Sequence, residues 1–264
     1  MVKLNDSIEF INAWHLLQRE LDLWAESGKQ ASFWWRDDDA VSDTPQLQHL
    51  DSLCQAFDIP VSIAVIPASL EASLPKFLQQ RDHFSVLQHG YSHSSYAAKG
   101  AKKIELGGER SVDMIATELT DGYQRLANAL PDQFIPVIVP PWNRIESRIY
   151  DSLSNIGFTG ISVEGARKMS YPVTDLLQIN THLDPINWRH GRGFIGSQAA
   201  ITLLQQHLTL RRKTDQCSDE PTGLLTHHLV HNEAVWNFCR SLFKHLNQHP
   251  AAHWVNARQM WPLA

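Results

Sequence analysis

Short apolar runs alternate with segments of helical period along most of the chain, and no other feature limits the possible folds as much. The runs fall at 31–37 (ASFWWRD), 59–67 (IPVSIAVIP), 84–90, 134–141, 158–163, 176–183 and 223–229. Several are almost wholly apolar, which fits parallel strands covered on both faces. Helices are expected between them, near 6–27, 45–56, 69–80, 109–129, 145–156, 197–212 and 233–247. Met114, Leu119, Tyr123, Leu126 and Leu130 recur at threes and fours, the pattern of one buried helix face. SDTPQL supplies a Ser or Asp cap and a first-turn proline for the helix at 45–56. Seven β–α alternations without a linker rich in Pro, Gly or Ser predict one barrel-like domain over residues 1–264, with the helix 6–27 packed on it. The polar stretch 212–222 reads as a surface loop.

The charge balance narrows the partners. A formal net charge of −5 and a pI near 6.3 argue against a nucleic-acid or anionic-membrane surface. No apolar run approaches the roughly 20 residues a membrane span requires. The first thirty residues carry charges throughout and have no apolar centre like that of a signal peptide, so a cytoplasmic location is expected. Cys54, Cys217 and Cys239 form no C-x-x-C pair and read as ordinary thiols in a reducing compartment. Oligomeric state is left open. Fourteen histidines and nine tryptophans are the compositional oddity; they suit metal ligation, proton transfer and stacking on sugar rings.

In a parallel barrel, functional groups collect at the C-terminal strand ends. Asp37, Asp38 and Asp39 end the first predicted strand, His89 the third, and Pro140 to Asn143 the fourth; Asp184 follows the sixth, and His227 and His228 lie in the last. Three adjacent carboxylates repel one another, and a divalent ion would relieve that repulsion. QHGYSH sets His89 and His93 four apart, so a helix starting after the strand would put both imidazoles on one face. Two histidines and one carboxylate leave positions open for water and substrate, as in a catalytic metal site.

RDDDA, HGYSH, VPPWNR, DPINW and LLTHH, in that order over residues 36–228, resemble the five motifs of the NodB-type polysaccharide deacetylases. The resemblance implies a distorted (β/α)7 TIM-like barrel and a metal-dependent hydrolase. Its substrate would be an N- or O-acetylated carbohydrate or sugar derivative, and the lack of an export signal favours a small one over a cell-wall polymer. It also implies one divalent ion, zinc first among the transition metals, held by Asp39, His89 and His93. Asp38 becomes the base and His227 the general acid. Asp37–Asp38 is the competing base–ligand pair and His228 the fallback acid, because alternation along a strand lets only one of two neighbours face the mouth. Trp142, Asn143 and Trp188 are the implied substrate contacts.

This chain also departs from the family. Val139 stands where the family has an arginine that orients the base, and Asn187 where it has that arginine's carboxylate partner. Loss of the two together is coherent, since either alone is an unpaired buried charge. Arg144 or Arg189 is the expected replacement cation. Gly90 stands where the family has Thr or Ser.

Competing signals are weaker. GRGFIG at 191–196 spells a dinucleotide fingerprint but comes late in the chain, and it reads as a loop near the mouth. His227 and His231 make another pair at spacing four; His231 reads as loop or helix packing. Two rival functions share the fold: hydrolysis of a non-sugar amide or imide C–N bond, and a non-catalytic carbohydrate-binding relative.

Overall fold

The computed structural model describes residues 2–189, 191–215 and 217–262, with side chains from residue 13 onward. Its elements, in order, are α1 (Val2–Glu26), β1 (Ala31–Ala40), α2 (Pro45–Phe57), β2 (Val61–Val65), α3 (Ser73–Leu78), β3 (Phe84–His89), α4 (Val112–Ala129), β4 (Phe134–Val139), α5 (Tyr150–Ile156), β5 (Gly160–Ile161), β6 (Leu177–Gln178), β7 (Ile186–Asn187), β8 (Gly193–Phe194), α6 (Ser197–Lys213), β9 (Thr222–Thr226), α7 (Glu233–Asn247), β10 (Ala252–Trp254) and α8 (Ala257–Met260).

All the pairings among β1 to β6, β9 and β10 are parallel, in the path β10-β1-β2-β3-β4-β5-β6, with β9 on β1. The chain running on from β6 closes the ring. Leu183 bridges Leu224 of β9, and the Leu225 N–H donates to the Leu183 carbonyl (2.7 Å). Strands β1 to β6 and β9 are the seven staves of a distorted (β/α)7 barrel, and β10 lies against the start of β1. Among the described residues, no helix is long and apolar enough to cross a membrane.

Alternation sorts β1 into two faces. Trp34 packs inside the barrel with Ala64, Leu87, Val137, Val139 and Trp261. Phe33 and Trp35 pack outward, against α7 residues that include Phe243. Such a strand reads as a continuous apolar run because each face meets its own core.

Helix boundaries follow local chemistry. The Thr44 side chain, rather than Ser42 or Asp43, caps α2 by accepting from the Leu47 N–H (3.1 Å), with Pro45 opening the helix. Ser111 caps α4, whose buried face is Ile115, Leu119, Gly122 and Leu126. Met114 is 58% exposed, so the buried row starts one residue later than its periodicity suggested. The loop after α6 is not wholly surface, because Cys217 and Glu220 are buried. The three cysteines are free and buried. The glycines of GRGFIG belong to a short antiparallel hairpin, β7–β8, and to the cap of α6 rather than to a βαβ turn.

Candidate metal and active site

The barrel mouth opens into a cleft of about 620 Å3 whose lining includes Asp38, Asp39, His89, His93, Trp142, Asn143, Asp184, Trp188 and His227. Consecutive strand residues point to opposite faces, so Asp38 and Asp39 can share the cleft only through an irregularity. β1 supplies it. The register against β2 slips between Asp37 and Ala40, and Asp39 sits at φ 75°. This bulge turns Asp39 back toward the mouth.

Asp37 stays on the outer face, completely buried. It accepts hydrogen bonds from Thr226 Oγ1 (2.6 Å) and the His228 backbone N–H (3.0 Å), and its Oδ1 lies 2.5 Å from His228 Nδ1. Of the two candidate pairs, Asp38–Asp39 therefore faces the cleft. Of the two candidate acids, His227 faces it and His228 points away.

His89 ends β3, and its Nδ1–H donates to the Val139 carbonyl (2.9 Å), which leaves Nε2 facing Asp39. No helix follows. Gly90 turns the chain at φ 52°, Tyr91 and Ser92 donate their backbone N–H groups to buried Glu105, and His93 (φ 56°) returns its ring to the cleft. The expectation of a helical His89–His93 face was wrong; a loop pinned by Glu105 brings the two rings together instead. Gly90 is required there, because a Cβ would run into Glu105 Oε2 and lie 2.6 Å from Pro141 Cγ.

Asp39 Oδ1 lies 3.2 Å from His89 Nε2 and 3.4 Å from His93 Nε2. That oxygen is shielded from solvent. The imidazole centroids are 5.1 Å apart and the rings are inclined by 43°. Two imidazoles bound through Nε2 at about 2.1 Å in tetrahedral geometry place their centroids roughly 5 Å apart. The donor set therefore fits one divalent ion. Burial raises the Asp39 pKa, but the hydrogen bond and charge of His89, with His227 and His93, outweigh it and hold the carboxyl well below its ordinary range. Burial and the neighbouring His89 push His93 down, toward the neutral form a ligand must have.

A second acid–histidine group, His182, His207 and Glu220, is fully buried. Its imidazoles stack at 3.3 Å and 13°, and both Nε2 atoms face the same Glu220 oxygen, at 3.4 and 3.5 Å. His182 Nδ1 accepts the Gly223 N–H (2.9 Å), which fixes the proton on Nε2, facing Glu220. The three side chains form a buried carboxylate–imidazole network outside the cleft. His231 is excluded as a partner of His227, because its Nε2 accepts the His227 backbone N–H (3.2 Å).

One residue that braces the cleft escaped the sequence reading. Arg36, completely buried, grips Asp38 through Nε–Oδ1 (2.9 Å) and Nη2–Oδ2 (3.0 Å). It also donates to Ser162 Oγ (2.7 Å) and Asn143 Oδ1 (2.7 Å). The expected replacements do not take this role. Arg144 lines the cleft and donates to the Lys103 carbonyl, and Arg189 is exposed. The signal was in RDD: residues i and i+2 of a strand share a face. Asn143 is then a ligand of Arg36 as well as part of the cleft wall.

Trp142 and Trp188 are both in the lining. The Trp142 ring lies 4.5 Å from that of His93, and Trp188 stands edge-on to His227 at 4.7 Å. Trp188 Nε1 donates to Asp184 Oδ2 (2.6 Å), whose carboxylate lies 3.9 Å from His227 Nδ1. Burial pushes Asp184 up, against the pull of His227 and Trp188.

Neither any family model nor any curated protein matches the sequence. Solved structures do match in fold. A protein assigned as a polysaccharide deacetylase from Mycobacterium smegmatis superposes with a TM-score of 0.63 at 15% identity, over 88% of this chain and 89% of its own. A peptidoglycan deacetylase from Bacillus subtilis gives 0.54 at 12% identity, over 88% and 90%. A family 4 acetyl xylan esterase from Clostridium thermocellum, in complex with a cobalt ion, gives 0.51 at 11%, over 87% and 89%. The chain has the (β/α)7 fold of these deacetylases at low sequence identity.

Proposed function

We propose that this protein is a zinc-dependent deacetylase that removes an N- or O-acetyl group from a small carbohydrate or sugar derivative. The observation that carries the proposal is the convergence of Asp39 Oδ1, His89 Nε2 and His93 Nε2 in the same cleft as Asp38 and His227. The names of the neighbours add support: one is a peptidoglycan deacetylase, another an acetyl xylan esterase with a cobalt ion. Asp39, His89 and His93 would hold the ion. When bound, it polarises the acyl carbonyl and makes a water more acidic.

The chain's own residues supply the rest. Asp38, locked by Arg36, takes a proton from the attacking water, whose oxygen bonds to the acyl carbon. The C–N or C–O bond then breaks, and its electron pair stays on the departing nitrogen or oxygen. His227 gives that atom a proton. Trp142 and Trp188 form apolar walls for the acetyl methyl and a sugar face.

The test is acetate release from a panel of N- and O-acetylated sugars by zinc-loaded protein, with and without the substitution Asp38→Asn. Release should fall by at least about 10²-fold in the variant. Full activity in Asp38→Asn, or no acetate from any member of the panel, would overturn the assignment.

A further inference from the structure

We propose that Asp37, the aspartate that does not reach the cleft, is a positioning residue that aims His227 at the leaving group. The proposal rests on the reading of His227 as the general acid. His227 lies between the end of β9 and the short turn after it, and its backbone (φ −142°, ψ 86°) belongs to neither element. Its N–H donates to His231 Nε2 (3.2 Å) and its carbonyl accepts the Val230 N–H (3.0 Å), both on the side of the turn. Asp37 fixes both neighbours. Its Oδ2 accepts the Thr226 hydroxyl on one side of His227 and the His228 N–H on the other, while Oδ1 engages the His228 ring. The Thr226 hydroxyl also accepts the Trp35 indole N–H (2.7 Å), so the anchor is tied into the outer core.

Asp37 is directly bonded in sequence to Asp38. One strand end therefore sets the spacing between the group that takes a proton and the group that gives one. The imidazole itself packs edge-on against Trp188, with ring centroids 4.7 Å apart. Its Nδ1 makes no hydrogen bond, and Asp184 stands 3.9 Å away. Asp37 adds anchors at residues 226 and 228, on either side of that imidazole. No carboxylate in the Asp37 position is needed to hold the ion, since Asp39, His89 and His93 make no hydrogen bond to it.

Substrates with different leaving groups separate this role from a merely structural one. An acetamide needs a proton on the departing nitrogen; 4-nitrophenyl acetate expels a stable phenolate and needs none. In zinc-loaded Asp37→Ala, kcat on an N-acetylated sugar should fall on the order of 10²-fold, with KM and zinc content unchanged, while 4-nitrophenyl acetate turnover stays within about threefold. Thr226→Val removes a single anchor and should show a smaller loss of the same selectivity, which covers the case where Asp37→Ala does not fold. Equal losses on both substrates, or no loss on either, would overturn the proposal. A crystal structure of the variant supplies a readout apart from activity, and His227 should be displaced from its place beside Asp184 and Trp188. If wild-type protein hydrolyses neither substrate, the deacetylase reading fails. An unmoved His227 ring in the variant would then sink the positioning role separately.

Discussion

Replacing Arg36 with leucine is the most informative single perturbation. Asp38 is 2% exposed and its two oxygens face one guanidinium, which also serves Ser162 and Asn143. Removing one partner of a buried pair strands the other charge and costs about 3–5 kcal/mol. Asp38 lines a cleft that water can enter, so the lower end, about 3 kcal/mol, is expected here. For a chain of this size that lowers Tm by roughly 6–12 °C. The double variant Arg36→Leu/Asp38→Leu leaves no stranded charge and should lie within about 1.5 kcal/mol of wild type, giving a large favourable coupling between the two changes. The assay is urea denaturation of wild type, both single variants and the double variant, all with metal removed so that ion binding adds nothing to the fold. Arg36→Lys should recover only part of the loss, because an ammonium cannot reproduce two parallel N–H bonds. If the single-variant losses simply add in the double variant, the pair is not an energetic unit, and the account of how Asp38 is held fails.

Three further outcomes follow from the same geometry. His89→Ala and His93→Ala should each reduce bound zinc from near one equivalent to near zero by elemental analysis; retention of full stoichiometry would place the ion elsewhere. Gly90→Ala should weaken zinc binding by more than tenfold in chelator competition, because the added Cβ collides with Glu105 and distorts the loop carrying His93; unchanged affinity would show that this loop is pliable. Burial, first among the causes, pushes His207 and His231 down to about 4, so both are neutral in the fold and bind protons more readily once it opens. Their contribution is complete above about pH 6.5 and is lost as pH falls toward 4, where the unfolded chain takes up more protons. Glu220, lowered to about 2, loses its contribution from about pH 4.5 downward, the same direction. Urea midpoints of metal-free protein should therefore drop between pH 7 and pH 4; a flat profile would contradict the buried neutral imidazoles.

Most strands were legible because β1 to β4 and β9 lie in largely apolar runs buried on both faces, and the order of motifs along them placed the cleft residues at strand ends. What escaped depends on directions in space that sequence spacing does not carry. The i, i+4 spacing of His89 and His93 suggested a helix, but Gly90 at positive φ and the acceptor Glu105 bring the rings together through a loop. Arg36 was passed over in favour of Arg144 and Arg189, although it stands two residues before Asp38 on the same face. The His182–His207–Glu220 network joins three distant parts of the chain with no local pattern, so nothing short of the fold could reveal it. Met114 kept the helical period yet faces solvent, since the period fixes a stripe but not its edges.

The triplet Asp37-Asp38-Asp39 would be costly if its charges shared one space, and one strand keeps them apart. Alternation sends Asp37 outward to His228 and Asp38 inward to Arg36, and the bulge brings Asp39 into the mouth against His89 and His93. Each carboxylate thus meets a different cationic or proton-bearing partner, on a side its neighbours do not use. Without the bulge, Asp39 would fall on the same face as Asp37, leaving the two histidines with no carboxylate between them. The proposed ion site therefore depends on a single extra residue of register in β1, and the separation of the proposed base, ligand and anchor depends on the two-residue period that surrounds it.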